Sequence, residues 1–194
     1  PSGCLNLVAT DTHRLAWKAV PVTGRIEPPA DRHYIVPARV LGEVARVLEQ
    51  EEYTSALVEL SFQATQVVFK LPKVVITCRV LEGKFPHYAQ FIPENFVSRV
   101  CVPAGDLRLA LERALLLARE DSRLKTNIVK LTLRGEVLNV RGSAAEVGYL
   151  EEQIPVEKEG EDLEIYFNIQ YLLDILRVYP REEFQLLFTS DARS

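Results

Sequence analysis

Apolar residues recur with helical spacing in three parts of the chain. These parts begin near Val36, Val102 and Asn168, and in each of them polar and charged residues occupy the opposite face. Pro37 and Pro103 suit the first turn of a helix, where a missing N–H costs nothing, and Asn168 suits an N-cap. We therefore predict three amphipathic helices. Their apolar stripes are Val40, Leu41, Val44, Val47 and Leu48 in the first, Leu107, Leu111, Ala114, Leu115 and Ala118 in the second, and Ile169, Leu172, Leu173 and Leu176 in the third.

Short β-rich runs follow each predicted helix. They lie at 54–62, 65–71 and 73–83 after the first helix, at 127–133, 136–142 and 146–156 after the second, and at 182–188 after the third. The unit of one helix and about three antiparallel strands is therefore repeated, with Gly135 marking a hairpin. No Gly-rich phosphate loop occurs, which argues against a doubly wound nucleotide-binding fold. The predicted fold class is α+β, with antiparallel sheets and helices lined along one side of them.

The stretch NLVATDTHRLAWKAV, residues 6–20, brings an acid and a histidine close together. Alternating runs flank Asp11 and Thr12, so these two residues are predicted to form a hairpin turn, in which an Asp side chain can accept bonds from nearby backbone N–H groups. A catalytic Asp11–His13 pair would need a nucleophile or a metal to complete it. Neither His33 nor His87 has metal-ligand spacing to His13, and no G-x-S-x-G or H-E-x-x-H motif occurs. We predict no catalytic residue, no metal and no cofactor.

Composition narrows the class of protein further. The 194 residues are 47% hydrophobic and 26% charged, with a net charge of −4, and acid is densest in 151–164. No apolar run reaches the roughly 18 residues of a membrane span. Three cysteines without CxxC spacing predict buried small hydrophobes in a reducing cytosol. The chain starts at Pro1 and contains no Met, so we expect it to be part of a longer protein.

Several motifs, taken in order, resemble one family. LVATDTHRLA closely resembles the ATDGHRLA signature of the bacterial sliding clamp family, the beta subunits of DNA polymerase III. IVPARVLGEVARVL is similar to the helix of the family's central domain, and LEGKFPHYAQFIP to its GRFPDYRRVIP connector. RALLLAREDS and FNIQYLLDIL resemble segments of its last domain. The resemblance covers nearly the whole chain.

The resemblance implies a DNA clamp fold and a role in replication without catalysis. Residues 1–93 would be the later part of the central domain, and 94–194 the C-terminal domain without its last strand. Two such subunits, each of three domains, would form a head-to-tail homodimeric ring around duplex DNA in the bacterial cytoplasm. A chain without the first domain is not expected to close that ring. The implied partners are the polymerase III alpha subunit, the clamp loader delta subunit and other proteins with a clamp-binding motif.

The family also implies two sets of site residues. The first lines a groove between the central and C-terminal domains that takes a short peptide with Gln, Leu and Phe anchors. Carried over by position, it comprises Thr10, His13, Arg14, Leu15, Pro86, Gln90, Phe91, Asn168, Tyr171, Ala192 and Ser194. The second set faces DNA phosphates from the polar helix faces and comprises Arg39, Arg46, Arg108, Arg119 and Arg177. Arginine opposite an apolar stripe is also typical of an ordinary solvated face.

Two positions depart from the family pattern. Thr12 stands where the family commonly has Gly, so a left-handed backbone at this position would be strained. Gln90 stands where some clamps have a basic residue. The acidic tract 151–164 is expected to lie away from the central hole.

Two alternatives of other classes stay open at this point. One is a non-ring nucleic-acid-binding protein that uses a sheet face, which needs exposed aromatic residues among basic ones. The run 65–75 offers only Phe69, Lys70 and Lys73 for this purpose. The other is a hydrolase that uses His13 and Asp11.

Overall fold

The computed structural model forms two compact units, Pro1–Phe91 and Ile92–Ser194. It describes residues 3–23, 33–53, 56–120, 127–144, 148–179 and 181–189. Each unit combines helices with antiparallel strands, and the predicted α+β class is confirmed.

The first unit consists of a hairpin, a helix and a small sheet. The hairpin pairs β1 (Gly3–Thr10) with β2 (Leu15–Val22). Helix α1 (Ala38–Leu48) precedes a three-stranded sheet of β3 (Glu59–Phe62), β4 (Gln66–Lys70) and β5 (Val75–Arg79), in the order β3-β4-β5. Val44 of α1 packs with Val67 and Phe69 of β4 in a small core.

The second unit holds two sheets and two helices. Its elements are β6 (Ser98–Pro103), α2 (Ala104–Glu120), β7 (Ile128–Arg134), β8 (Val137–Ala144), β9 (Gly148–Pro155), β10 (Glu157–Gly160), β11 (Leu163–Asn168), α3 (Ile169–Val178) and β12 (Glu183–Phe188). The strands pair in the orders β10-β6-β12 and β11-β7-β8-β9, all antiparallel. Leucines, valines and one isoleucine from α2, α3 and both sheets are fully buried and form one continuous core.

The helix predictions are confirmed, with small differences at the ends. All residues of the α2 and α3 stripes are buried, whereas in α1 only Val44 is fully buried and Leu41 stays exposed. The side chain of Asn168 caps α3, because its Oδ1 accepts a bond of 2.9 Å from the amide of Gln170. Pro37 and Pro103 do not lie inside the first turn as predicted: Pro37 is the N-cap of α1 and Pro103 ends β6.

Two further predictions were wrong. About three strands were expected after α2, yet β10 and β11 add two more before α3: β10 has no apolar residue to predict it, and β11 is a short run that becomes a strand by pairing with β7. The cysteines were expected to be buried, but Cys4 on the hairpin is exposed and Cys101 is only half-buried. Cys4 is exposed because β1 pairs with β2 alone in the described chain.

The hairpin turn depends on the carboxylate of Asp11. Its Oδ1 accepts bonds from the amides of His13 (3.2 Å) and Arg14 (3.1 Å), and its Oδ2 accepts one of 2.9 Å from Arg14 Nε. The Arg14 guanidinium holds the pKa of this carboxyl below its ordinary value. Thr10 Oγ1 completes the turn by donating to the carbonyl of Arg14 at 2.9 Å. The predicted role of Asp11 as a turn residue is confirmed.

Thr12 has a φ of +73°, and it is the one non-glycine residue in the described ranges with a positive φ. A β-branched residue is uncommon in this region because its Cβ approaches the backbone too closely. The strain expected from the sequence at Thr12 is therefore present. The three hydrogen bonds that the Asp11 carboxylate accepts, together with the bond from the Thr10 hydroxyl, offset this strain.

Gly160 allows the turn after β10 to pack against β6. Its φ is +100°, and a Cβ at this position would overlap the carbonyl oxygen of Val97 and lie 2.9 Å from the Cα of Ser98. Ser98 Oγ donates to the carbonyl of Glu161 at 2.6 Å beside it. The close approach of these two backbones leaves no room for a side chain.

We predict that Thr12→Gly raises the free energy of unfolding by about 1 kcal/mol, because relief of the left-handed strain exceeds the extra entropy of Gly in the unfolded chain. Urea unfolding followed by circular dichroism measures the change. Thr77→Gly in the middle of β5 is the matched control and should lower stability by roughly 0.5–1 kcal/mol. A loss of stability in both variants would contradict the strain at Thr12.

We predict that Gly160→Ala destabilises the second unit by roughly 2–4 kcal/mol, since overlap with backbone adds to the strain of a positive φ. The comparison is Gly135→Ala in the turn between β7 and β8, which also has a positive φ (+53°) but open space around it. Urea midpoints of both variants separate the two effects. Equal losses would show that overlap with Val97 has no cost of its own.

Candidate functional site

The first group of groove residues lies at the turn of the β1–β2 hairpin. Thr10, Arg14 and His13 are exposed, and Leu15 is half-buried at the start of β2. Arg14 is fixed in direction by its ion pair with Asp11, whereas the Thr10 hydroxyl is already used to close the turn. Arg14 and Leu15 therefore offer a positioned cation beside an apolar side chain.

The second group lies at the end of the first unit. Pro86 and Gln90 are exposed, and the single turn of 3₁₀ helix at Tyr88–Phe91 is closed by a bond of 3.3 Å from the amide of Gln90 to the carbonyl of His87. This turn presents Phe91 with 59% of its surface exposed. An exposed Phe on an ordered turn is a suitable contact for an apolar anchor of a partner.

The third group lies at the start of α3 in the second unit. Asn168 caps the helix and is half-buried, so its side chain has a structural role. Tyr171 follows in the first turn of α3 and is also half-buried. Ala192 and Ser194, the last two predicted groove residues, lie outside the described residues.

The helix-face arginines differ in how far their charge is compensated. Arg46 Nη1 lies 2.8 Å from Glu43 Oε2, and Arg177 Nη1 lies 3.3 Å from Asp174 Oδ1. Arg39 and Arg108 are exposed and form no ion pair within the described chain. The side chain of Arg119 lies outside the described part of α2.

The carboxylate of Asp11 is part of the hairpin turn. Both oxygens of Asp11 are used to order the turn, as described above. In the residues that the structure covers, no cluster of three or more His, Cys, Asp or Glu side chains could hold a metal ion. The same residues contain no helix that combines the length and the apolar character of a membrane span.

The second unit also carries a polar surface that was not predicted from the sequence. Lys130, Arg134, Arg141, Tyr149 and Tyr166 lie on the solvent side of the sheet β11-β7-β8-β9, and we call this surface the tyrosine–arginine face. These residues come from four strands, and only the strand register brings them together. The local signal was the alternation of polar and buried residues within β7 (Lys130, Arg134) and within β8 (Asn139, Arg141).

Comparison with known proteins identifies the family. The family description "DNA polymerase III beta subunit, central domain" matches residues 3–87, and "DNA polymerase III beta subunit, C-terminal domain" matches residues 89–194. The beta sliding clamp of Bacillus subtilis (strain 168) is 33% identical over 189 residues, which are 95% of this chain and 47% of that protein. The chain thus spans about half the length of the curated relatives it matches.

Solved structures agree with the sequence comparison. The sliding clamp of Bacillus subtilis superimposes with a TM-score of 0.83 at 32% identity, over 98% of this chain and 48% of that one. The DNA polymerase III subunit beta of Pseudomonas aeruginosa gives 0.84 at 30% identity, over 97% and 50%. The predicted clamp fold and the resemblance seen in the motifs are both confirmed. The chain belongs to the DNA polymerase III beta subunit family, the bacterial sliding clamps.

Proposed function

We propose that this chain supplies part of a ring-shaped processivity factor that encircles duplex DNA in the bacterial cytoplasm and tethers the replicative polymerase. The observation that carries the proposal is the match of two consecutive clamp domains, in order, over residues 3–87 and 89–194. In this role the protein catalyses no reaction, because tethering needs only topology and partner contacts. The polymerase III alpha subunit and the clamp loader delta subunit are the partners we propose.

The partner groove would be formed by residues of both units. Leu15, Phe91 and Tyr171 supply apolar and aromatic surface, and Arg14 supplies a charge held in place by Asp11. A peptide with Gln, Leu and Phe anchors suits such a surface, because a few apolar side chains in preformed pockets carry most of the affinity. Thr10 and Asn168 would support the groove through the turn and the helix cap.

Duplex DNA would contact the polar faces of the helices. Arg39 and Arg108 are the stronger candidates, since they form no ion pair in the described residues, although Glu43 and Glu112 share their helix faces. Arg46 and Arg177 are weaker candidates, because Glu43 and Asp174 reduce the field that a phosphate feels. Weak, sequence-independent phosphate contacts suit a ring that must slide.

Ring closure in a homodimer would use the edge of the second unit. Among the described strands, β9 is an outer strand of the sheet β11-β7-β8-β9, so its outer backbone groups would be able to pair with a strand of another subunit. Leu116 on α2 is 64% exposed beside this edge, one turn from Arg113, which pairs with Glu152 of β9. An exposed leucine next to a free edge strand is a suitable seam for two subunits.

We predict that this chain binds a fluorescent Gln-Leu-x-Leu-Phe peptide saturably, and that Leu15→Ala and Tyr171→Ala each weaken binding about fivefold or more, because both remove anchor contacts. Fluorescence anisotropy with unlabelled peptide as competitor measures the affinity. Leu57→Ala, at a leucine that is 84% exposed, and Tyr166→Ala are the matched controls and should bind like the wild type. Equal effects in test and control variants, or no saturable binding, would overturn the groove.

We predict that Arg108→Ala weakens the binding of linear duplex DNA at low salt more than Arg177→Ala does, because Asp174 already compensates Arg177. The slope of log affinity against log salt should fall by about 0.9 for Arg108→Ala, as expected for one lost phosphate contact. Titrations of a labelled 30-mer duplex at several salt concentrations measure both quantities. An unchanged slope for Arg108→Ala would remove α2 from the DNA contact.

A further inference from the structure

We propose that the tyrosine–arginine face of the second unit binds single-stranded DNA. This face lies on the opposite side of the sheet from α2, whose polar side carries Arg108. The face is a shallow depression lined by Lys130, Thr132, Arg134, Asn139, Arg141, Glu151 and Glu164. Tyr149 and Tyr166 stand next to it on the two edge strands β9 and β11.

Two exposed aromatic rings flank the cationic side chains. Tyr166 lies opposite Lys130 in the strand register and Lys130 lies opposite Arg141, so these three side chains form one row across β11, β7 and β8. The Arg141 guanidinium sits 4.8 Å from the centroid of Tyr149, which stands one row further along. Tyr149 is 66% exposed and Tyr166 is 56% exposed, so both rings can accept a stacked base.

The charges on the face favour a polyanion weakly. Arg134 and Arg141 form no ion pair in the part of the chain that the structure describes, and their guanidinium groups keep free donors. Lys130 Nζ pairs with Glu164 Oε1 at 2.7 Å, and Glu151 stands opposite Arg141 in the register. Three cations against two carboxylates give a positive patch in a protein whose net charge is −4. Binding should therefore be modest and sensitive to salt.

These features select single strands over other anionic partners. Duplex DNA hides its base faces and would use only the cations of this surface. An acidic peptide would use the cations and leave both rings without a specific role. Only an unpaired strand offers phosphates for Arg134 and Arg141 together with bases for Tyr149 and Tyr166.

The test is anisotropy of fluorescein-labelled oligo-dT of 20 nucleotides, titrated with this 194-residue chain at low salt. We expect saturable binding that Tyr149→Ala and Tyr166→Ala each weaken about fivefold or more, since each removes a stacking platform. Arg141→Gln should also lower the salt slope by about 0.7. Tyr149→Leu and Tyr166→Leu keep the apolar bulk of the side chain but remove the aromatic ring. Circular dichroism checks that every variant is folded.

Matched controls separate this face from general charge and from the groove. Arg79→Gln removes an exposed strand arginine of the first unit, and Tyr171→Ala removes the groove tyrosine; both should bind oligo-dT like the wild type. Absence of saturable binding, equal losses in Arg79→Gln and Arg141→Gln, or displacement of the oligonucleotide by the Gln-Leu-x-Leu-Phe peptide would each overturn the proposal. Tighter binding of a 20-base-pair duplex or of a poly-Glu peptide than of oligo-dT would also overturn it.

Discussion

The packing of α2 against the four-stranded sheet is the contact on which the second unit depends. Leu107, Leu111 and Ala114 of α2 are fully buried, and each leucine contributes roughly 1.5–3 kcal/mol by leaving water. At Gly142 of β8 a Cβ would lie 3.1 Å from the Cβ of Ala114, so the helix approaches the strand at a point where both residues are small. The ion pair between Arg113 and Glu152 fixes the same helix to the sheet edge. Arg108 and the tyrosine–arginine face owe their positions to this contact.

In the first unit, the hairpin turn depends in the same way on the carboxylate of Asp11. Asp11 holds the strained turn at Thr12 and at the same time fixes the Arg14 side chain through an ion pair. Because Arg14 lowers the pKa of Asp11 in the folded protein, the contribution of this carboxylate to stability is present above its ordinary pKa. That contribution is lost as the pH falls through the lowered value. The ionised carboxylate therefore stabilises the turn throughout the neutral pH range.

Local patterns allowed the helices and the turn to be predicted, because both depend on residues close in sequence. The spacing of Leu107, Leu111 and Leu115 identified the buried side of α2, and the capping role of Asn168 followed from its residue type. The exposure of Cys4 could not be predicted, since burial of an alternating strand depends on which element covers it. Strand β11 was missed although Leu163, Ile165 and Phe167 alternate with Glu164 and Tyr166 there, because so short a run becomes a strand only by pairing with β7, which is distant in sequence.

The tyrosine–arginine face was beyond sequence reasoning for a different reason. Tyr166 and Arg141 are far apart in the chain and share one row only because β7 pairs with both β11 and β8 in a particular register. A shift of one residue in this register would turn either side chain into the core. This same register places Leu131 and Val140 on the inner side, where both are fully buried under α2. The burial of apolar residues on the inner face therefore also determines which residues lie on the outer face. Since α2 covers the inner side of this sheet and the tyrosine–arginine face lies on its outer side, a ligand on the sheet side and duplex DNA on the helix side would not contact the same residues.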